Sequence, residues 1–232
     1  KLSKIISFDE INIKRFSEAT IINGIYFTRK KLFSKSKKVK VFQGLKYILL
    51  DKDFSKKKKL FNKRKKTTIL ITSGGSDKKK FAVKIASALK NQKNLKIKLI
   101  LGKGVSHSDS VNNLKKFKNI HLIKNEKNLF NQFNSSNIAF VSGGTVMFEA
   151  ISLGLVPFVA KTYASQKYAI KFFKDRNLIN YIGDLNKLNK NYLGKIIKDI
   201  NFKSIRFRKR NSIIDGKGFL RVINIIEKIL IN

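Results

Sequence analysis

Along the 232 residues, apolar positions recur in two alternating rhythms. Short runs rich in branched residues read as strands, and longer stretches with apolar residues three and four apart read as helices. Three strands come first, at 4–8 (KIISF), 19–23 (ATIIN) and 38–43 (KVKVFQ). After a lysine run the alternation becomes regular. Strands are expected at 67–72 (TTILIT), 95–101 (LKIKLIL), 119–123 (NIHLI), 137–141 (NIAFV), 156–160 (VPFVA) and about 178–182. Between them fall helices at 78–90, with Phe81, Ile85 and Leu89 on one stripe, near 109–117 and 126–134, from Thr145 to Leu153, and at about 166–175. Two more close the chain, near 191–200 and 217–230, the last with Val222, Ile225, Ile226 and Ile229 on its buried side. Strands that alternate with helices are joined by right-handed crossovers, which makes the sheet parallel and covers both its faces. The expected fold class is therefore α/β, a doubly wound, Rossmann-like parallel sheet from about residue 66 onward.

Composition narrows this picture without changing it. An apolar content of 42% supplies a core for one large domain, or for one domain and part of another. The chain has no cysteine, so no disulfide framework is expected, in keeping with a cytoplasmic location. Its longest apolar runs fall far short of the roughly 20 residues that span a bilayer, and it opens on no basic-then-apolar leader. Because the first residue is Lys1 and not Met, the chain is expected to begin inside a longer protein.

The net charge of +38 raises the question of nucleic acid. Only eight of the 52 basic residues are Arg, and the lysines are spread over nearly every segment among Asn and Ile. Base readers and phosphate clamps favour the bidentate fork of Arg, whereas a Lys-Asn-Ile bias is what AT-rich coding produces on solvated faces. This argues against a dedicated nucleic-acid surface. The runs SKKKKLFNKRKK (55–66) and RFRKR (206–210) are candidates for an acidic partner, and the first reads more simply as a solvated linker.

In a doubly wound sheet, ligands sit outside the carboxyl ends of the strands. Two glycine-rich stretches fall there: SGGSD (73–77) after the strand at 67–72, and SGGT (142–145) after the strand at 137–141. Glycine pairs let the backbone approach a bulky anion, and a following helix presents free N–H groups with positive partial charge, which suits a phosphate or pyrophosphate; the alternative is that both loops are merely tight turns. The first loop is the weaker anion site, because Asp77 would stand near any phosphate and reads instead as a helix cap together with Ser76. Glu149 lies among Val146, Met147, Phe148, Ala150, Ile151 and Leu153, so its carboxylate is partly desolvated unless it faces a cleft. One turn inside a helix that starts at a phosphate, it is suitably placed to accept hydrogen bonds from both hydroxyls of a ribose. A salt bridge to one of the many lysines is the alternative.

The stretches ILITSGGSDKKKFAVKIASAL, SSNIAFVSGGTVMFEAISLGLVPFVAKTYASQ and IIDGKGFLRVINII resemble, in order and spacing, the UDP-sugar hydrolases of pseudaminic acid biosynthesis. Those enzymes release UDP from UDP-2,4-diacetamido-2,4,6-trideoxy-β-L-altropyranose. The same stretches are similar to the wider GT-B glycosyltransferases, which include the lipid II N-acetylglucosaminyltransferase. Upstream, KIISFDE and VFQGLKYILLDKDF look like the hydrolase family's strand ending in paired acids and its Gly-Tyr-Leu-Leu-Phe segment. The resemblance implies a GT-B type fold with two Rossmann-like domains facing a cleft. Residues 1–55 would be the remainder of a truncated first domain, 56–66 a basic linker, and 67–232 the UDP-sugar-binding domain.

By the same resemblance, Gly143, Gly144 and Thr145 would hold the diphosphate and Glu149 the ribose hydroxyls. Gln166 would lie near the sugar or phosphate, Gly74, Gly75 and Ser76 would border the same cleft, and backbone groups near Ile123 would read the uracil. The implied partner is UDP or a UDP-sugar, with no cofactor and no metal. Two departures bear on catalysis. The family's glycine-rich, histidine-bearing segment is absent, and the only histidines are His107, in a polar loop, and His121, which reads as structural in mid-strand. The family's acidic-Asn-Gln triplet reads Ala164-Ser165-Gln166, a hydroxyl replacing the amide. No catalytic residue is assigned. Alternatives to hydrolysis are a GT-B glycosyltransferase, a noncatalytic nucleotide-sugar-binding fragment, and a basic adaptor for nucleic acid or an anionic membrane surface.

Overall fold

The computed structural model describes residues 4–9, 12–25, 34–56, 67–75, 77, 79–102, 109–200 and 213–231. The chain divides into two compact units, one of Lys1–Lys57 with Ile213–Asn232 and one of Lys58–Ser212.

In the first unit, β1 (Ile6–Phe8), β2 (Ala19–Asn23) and β3 (Val39–Gln43) pair in parallel in that order. All five residues of β2 are buried, as its ATIIN run requires of a central strand. The C-terminal helix, Gly218–Ile231, groups with this unit, whereas the sequence reading set it in 67–232. Its start rests directly on the backbone of the segment after β3: a Cβ on Gly216 would lie 2.2 Å from Phe54 O, and one on Gly218 2.0 Å from Ile48 O. Arg221 ties the same end down, donating to Asp215 Oδ1 at 2.9 Å and to Lys46 O at 3.1 Å. Backbone-on-backbone seating of this kind leaves no apolar pattern to read. Of the expected buried stripe only Val222 is buried; Ile225, Ile226 and Ile229 are half-buried.

The second unit holds six parallel strands: β4 (Thr67–Thr72), β5 (Leu95–Leu101), β6 (Ile120–Lys124), β7 (Ile138–Ser142), β8 (Phe158–Lys161) and β9 (Asn180–Asp184). Their order across the sheet is β6-β5-β4-β7-β8-β9. Between them run α1 (Phe81–Leu89), α2 (Asp109–Leu114), α3 (Phe130–Asn134), α4 (Thr145–Ser152) and α5 (Lys167–Lys174), followed by α6 (Lys190–Asp199). Strand alternation sends Ile69, Ile71, Ile97, Leu99 and Phe140 to one face, where they pack with Phe81, Ile85 and Leu89 of α1, and with α2 and α6. Leu70, Ile100, Ala139 and Val141 are buried on the other face, which α3, α4 and α5 cover. The doubly wound, Rossmann-like parallel sheet is thus the observed one.

Element ends shift where local side-chain chemistry competes with periodicity. The first helix begins at Phe81 and not 78, because Asp77 caps it and Lys80 adopts φ +55. The helix expected over 126–134 is cut to Phe130–Asn134: Asn125 takes φ +55 and Asn128 Oδ1 accepts from Phe130 N at 2.8 Å. Residues 57–66 of the 56–66 linker and the RFRKR run lie outside the described residues. No helix among the described residues is long and apolar enough to cross a membrane.

Candidate functional site

The sheet reverses its winding between β4 and β7. From β4 the chain progresses outward to β5 and β6, and from β7 the other way to β8 and β9. Connections leaving the carboxyl ends of these neighbouring strands go to opposite faces and leave a crevice between them. Both glycine pairs stand there, since β4 ends at Thr72 beside Val141 of β7. The bases of the two loops are tied: Ser142 Oγ donates to Ser73 O at 3.1 Å, and a Cβ on Gly74 would touch Val146 Cγ1 at 3.4 Å. Gly74 itself has φ +92, and its N–H donates to Thr72 Oγ1 at 3.1 Å. Gly75 is exposed, and Ser76 lies outside the described residues. The first loop is seated on Gly102, where an added Cβ would fall 2.4 Å from Gly75 O.

The two loops differ electrostatically. Asp77 is buried, and its carboxylate accepts from Phe81 N at 2.7 Å and Ala82 N at 2.9 Å. Burial pushes this carboxyl above its usual range, and the N–H groups of Ala82 and Phe81 partly offset that rise. The start of α1 is therefore closed by an internal anion, as expected of a cap. At α4 the N-cap is Gly144, extended at φ −95° and ψ −152°, and no side chain caps the helix. Thr145, the first helical residue, is exposed. The N–H groups of an uncapped first turn and the helix dipole both favour a negative group.

Gly143 and Gly144 do different jobs. A Cβ on Gly143 would lie 2.5 Å from Ile170 Cδ1 and 3.2 Å from Gln166 Cβ, so this residue is small because α5 packs on it. Around Gly144 the nearest atom to an added Cβ is Gln166 Nε2, at 3.7 Å. Gln166 stands in the loop after β8, and its Oε1 accepts from Thr162 N at 2.8 Å, Thr162 Oγ1 at 3.1 Å and Tyr163 N at 3.2 Å. With the oxygen so engaged, the amide nitrogen is turned toward Gly144. Glu149 follows one turn along α4; the residue is half-buried and its Oε2 is sealed from solvent.

The crevice thus gathers Gly74, Gly75, Gly143, Gly144, Thr145 and Gln166, with Glu149 on the helix that leaves it. Ile123 lies on β6, two strands from β4. His121, on the same strand, is exposed, so it is not a packed core residue; His107 lies outside the described residues. Sequence reasoning passed over Lys79 and Thr162. Lys79 Nζ donates to Thr162 O at 2.6 Å and sits 4.5 Å from the Tyr163 ring centroid. The only signal for Lys79 in the sequence was its place just after the first glycine pair, inside a run of lysines. Among the described residues there is no group of three or more His, Asp or Glu able to hold a metal ion.

No known family's profile matches the chain. It is similar to the spore coat polysaccharide biosynthesis protein SpsG of Bacillus subtilis (strain 168), at 24% identity over 97% of this chain and 69% of that protein. Among solved structures, it is similar to the glycotransferase of kitacinnamycin, with a TM-score of 0.57 at 12% identity, over 91% of this chain and 54% of the other. MurG of Acinetobacter baumannii superposes with a TM-score of 0.52 at 13% identity, over 90% of this chain and 60% of the other. The chain therefore spans little more than half the length of these structural neighbours. At such identities the likeness establishes the fold alone, a Rossmann-like parallel α/β fold of the GT-B type.

Proposed function

We propose that the β4–β7 crevice binds the UDP portion of a nucleotide-activated sugar and that the chain serves surface polysaccharide biosynthesis as a UDP-sugar hydrolase. The observation that carries this reading is the uncapped start of α4, bordered by Gly143 and Gly144, with Glu149 one turn inside it. Four residues of helix rise by about 6 Å, roughly the distance from a diphosphate to the hydroxyls of its ribose. A diphosphate on the first turn of α4 would leave Glu149 to accept from the 2′- and 3′-hydroxyls, the side chain turning its sealed Oε2 toward the ligand as it does so. Gln166 Nε2, held by its engaged oxygen, would donate to the sugar or to a phosphate oxygen. The likeness to SpsG along nearly the whole chain supports the polysaccharide setting. The GLKYILLDKDF stretch supports the hydrolase-like branch, and the finer reading, a diacetamido-trideoxy sugar of pseudaminic acid biosynthesis, rests on the family resemblance alone.

In the reaction, water attacks the anomeric carbon, the bond from that carbon to the diphosphate oxygen breaks, UDP leaves with the electron pair, and the proton shed by the attacking water passes to solvent. The start of α4 stabilises charge developing on the departing phosphate, since its N–H groups are in place before the bond breaks. Uracil would be read by backbone groups near Ile123.

Thermal stabilisation by UDP, but not by AMP or heparin, is the expected outcome, with the UDP effect lost in Glu149→Ala. Heparin retention with no response to UDP would sink the proposal in favour of a basic adaptor. UDP released from a UDP-sugar in water alone marks hydrolysis, and release that needs an added glycan marks a transferase.

A further inference from the structure

We infer that Lys79 is a diphosphate-binding residue, a side-chain cation that reaches over the Gly143–Gly144 loop and pairs with the phosphates of the bound nucleotide. The inference rests on the reading that the crevice takes UDP. Lys79 belongs to the connection that follows β4, and its ammonium bonds Thr162 O, in the connection that follows β8. In the sheet, β7 lies between those two strands. The side chain thus joins the loops on either side of the one that follows β7, which is Gly143–Gly144. Its landing place is the same stretch that fixes Gln166, through Thr162 N and Tyr163 N, and Gln166 Nε2 is what borders Gly144. Lys79 therefore ends on the stretch that places Gln166 Nε2 beside Gly144, the N-cap of the uncapped α4.

The charge requirement points the same way. A nucleoside diphosphate brings two to three negative charges, while a helix start supplies the equivalent of roughly half a positive one. The first loop cannot make up the difference, because Asp77 occupies the start of α1 with a negative charge of its own. An ammonium has three donors, of which Thr162 O takes one, and the Tyr163 ring holds the cation through its negative face. An arriving phosphate replaces that carbonyl as acceptor with a charged oxygen, and charge-assisted hydrogen bonds are the stronger kind.

The test is calorimetric titration of the 232-residue chain with UDP and with uridine, for the wild type, Lys79→Met and Lys79→Arg. Met keeps an apolar stem against Tyr163 and removes only the charge. Lys79→Met is expected to bind UDP at least about tenfold more weakly, with uridine affinity unchanged and the melting midpoint held. Lys79→Arg should recover part of the UDP affinity, and the salt dependence of UDP binding should flatten in Lys79→Met. Equal weakening of UDP and uridine would reduce Lys79 to a strap that positions the loop, and unchanged UDP affinity would remove it from the site; either result overturns the inference while the UDP reading stands. A wild type that binds neither ligand overturns both.

Discussion

Replacing Gly144 by Ala should separate binding from folding. Gly144 is in extended backbone, which an L-residue adopts without strain, and the nearest atoms to an added Cβ, Gln166 Nε2 at 3.7 Å and Ser142 Oγ at 4.0 Å, are at ordinary contact. Two small terms then oppose each other. Restricting the unfolded chain favours the variant by roughly 0.4–1 kcal/mol, and alanine is poorer than glycine as an N-cap by about 0.5 kcal/mol. The net change lies within about 0.5 kcal/mol, which for a chain of this size moves the melting midpoint by less than about 2 °C. The methyl group, however, occupies the approach to the first turn of α4. A lost hydrogen bond to a charged phosphate oxygen costs roughly 1.5–3 kcal/mol, a tenfold to hundredfold weaker binding of UDP. Scanning fluorimetry reads the first quantity and calorimetric titration the second. A variant that keeps full UDP affinity would show that no phosphate sits on that turn, and a fall of more than about 5 °C would refute the account of Gly144 as sterically open.

Gly143→Ala should behave in the opposite way, since its Cβ would stand 2.5 Å from Cδ1 of the buried Ile170; overpacking of about 1–3 kcal/mol should lower the melting midpoint by several degrees even without ligand. Gly102→Ala is expected to be harsher still, because the atoms in its way are the backbone of Gly75 and Gly74 and not a movable side chain, and limited proteolysis should report a displaced first loop. Asp77 gives a pH signature. Its folded carboxyl titrates above the ordinary 3.8, so between the unfolded and folded values the folded chain holds a proton the unfolded chain has released. Stability must then decline as pH rises from about 3.8 through the folded value and level off above it. Urea titrations across that window should show the wild type losing stability relative to Asp77→Asn as pH rises, the other shifted carboxyls being common to both, and a wild-type stability that gains on the variant with rising pH would contradict the assignment.

The parallel sheet was legible because its strands are buried on both faces. TTILIT, LKIKLIL and NIAFV are near-continuous apolar runs, and each is followed by a stretch with helical spacing. What the runs do not carry is a label for their neighbours. That β4 lies beside β7 follows from the point at which the winding reverses, and only the assembled sheet brings residues 73–75 against 142–146. The helix ends were misjudged where Asp77, Asn125 and Asn128 bend or cap the backbone, short-range effects that apolar spacing does not register. The grouping of the C-terminal helix with residues 1–57 is invisible to apolar spacing for a related reason: its anchorage is the absence of a side chain at Gly216 and Gly218. Lys79 was hidden by its surroundings, one lysine among many in a chain of net charge +38, and it acquires a distinct role only through the carbonyl and the ring it touches.

The deepest contrast is between the two glycine pairs. By composition they are near-equivalent, each a Ser-Gly-Gly that leaves a buried parallel strand for a helix. In the fold, the helix start after the first is occupied by a carboxylate that the sequence supplies at position 77, and the start after the second is left to the backbone alone. One crevice therefore has a wall that repels an anion and a wall that attracts it, about the width of two adjacent strands apart. On the proposed reading, a ligand that is negative at one end only lies with its charge on α4. Its uncharged part must then extend along or away from that helix, in the direction of Glu149. This polarity, and not the glycines as such, gives the site an orientation, and it predicts that exchanging the two caps, with Asp77→Gly and Gly144→Asp together, would abolish UDP binding and would not transfer it to α1, where no carboxylate follows one turn on.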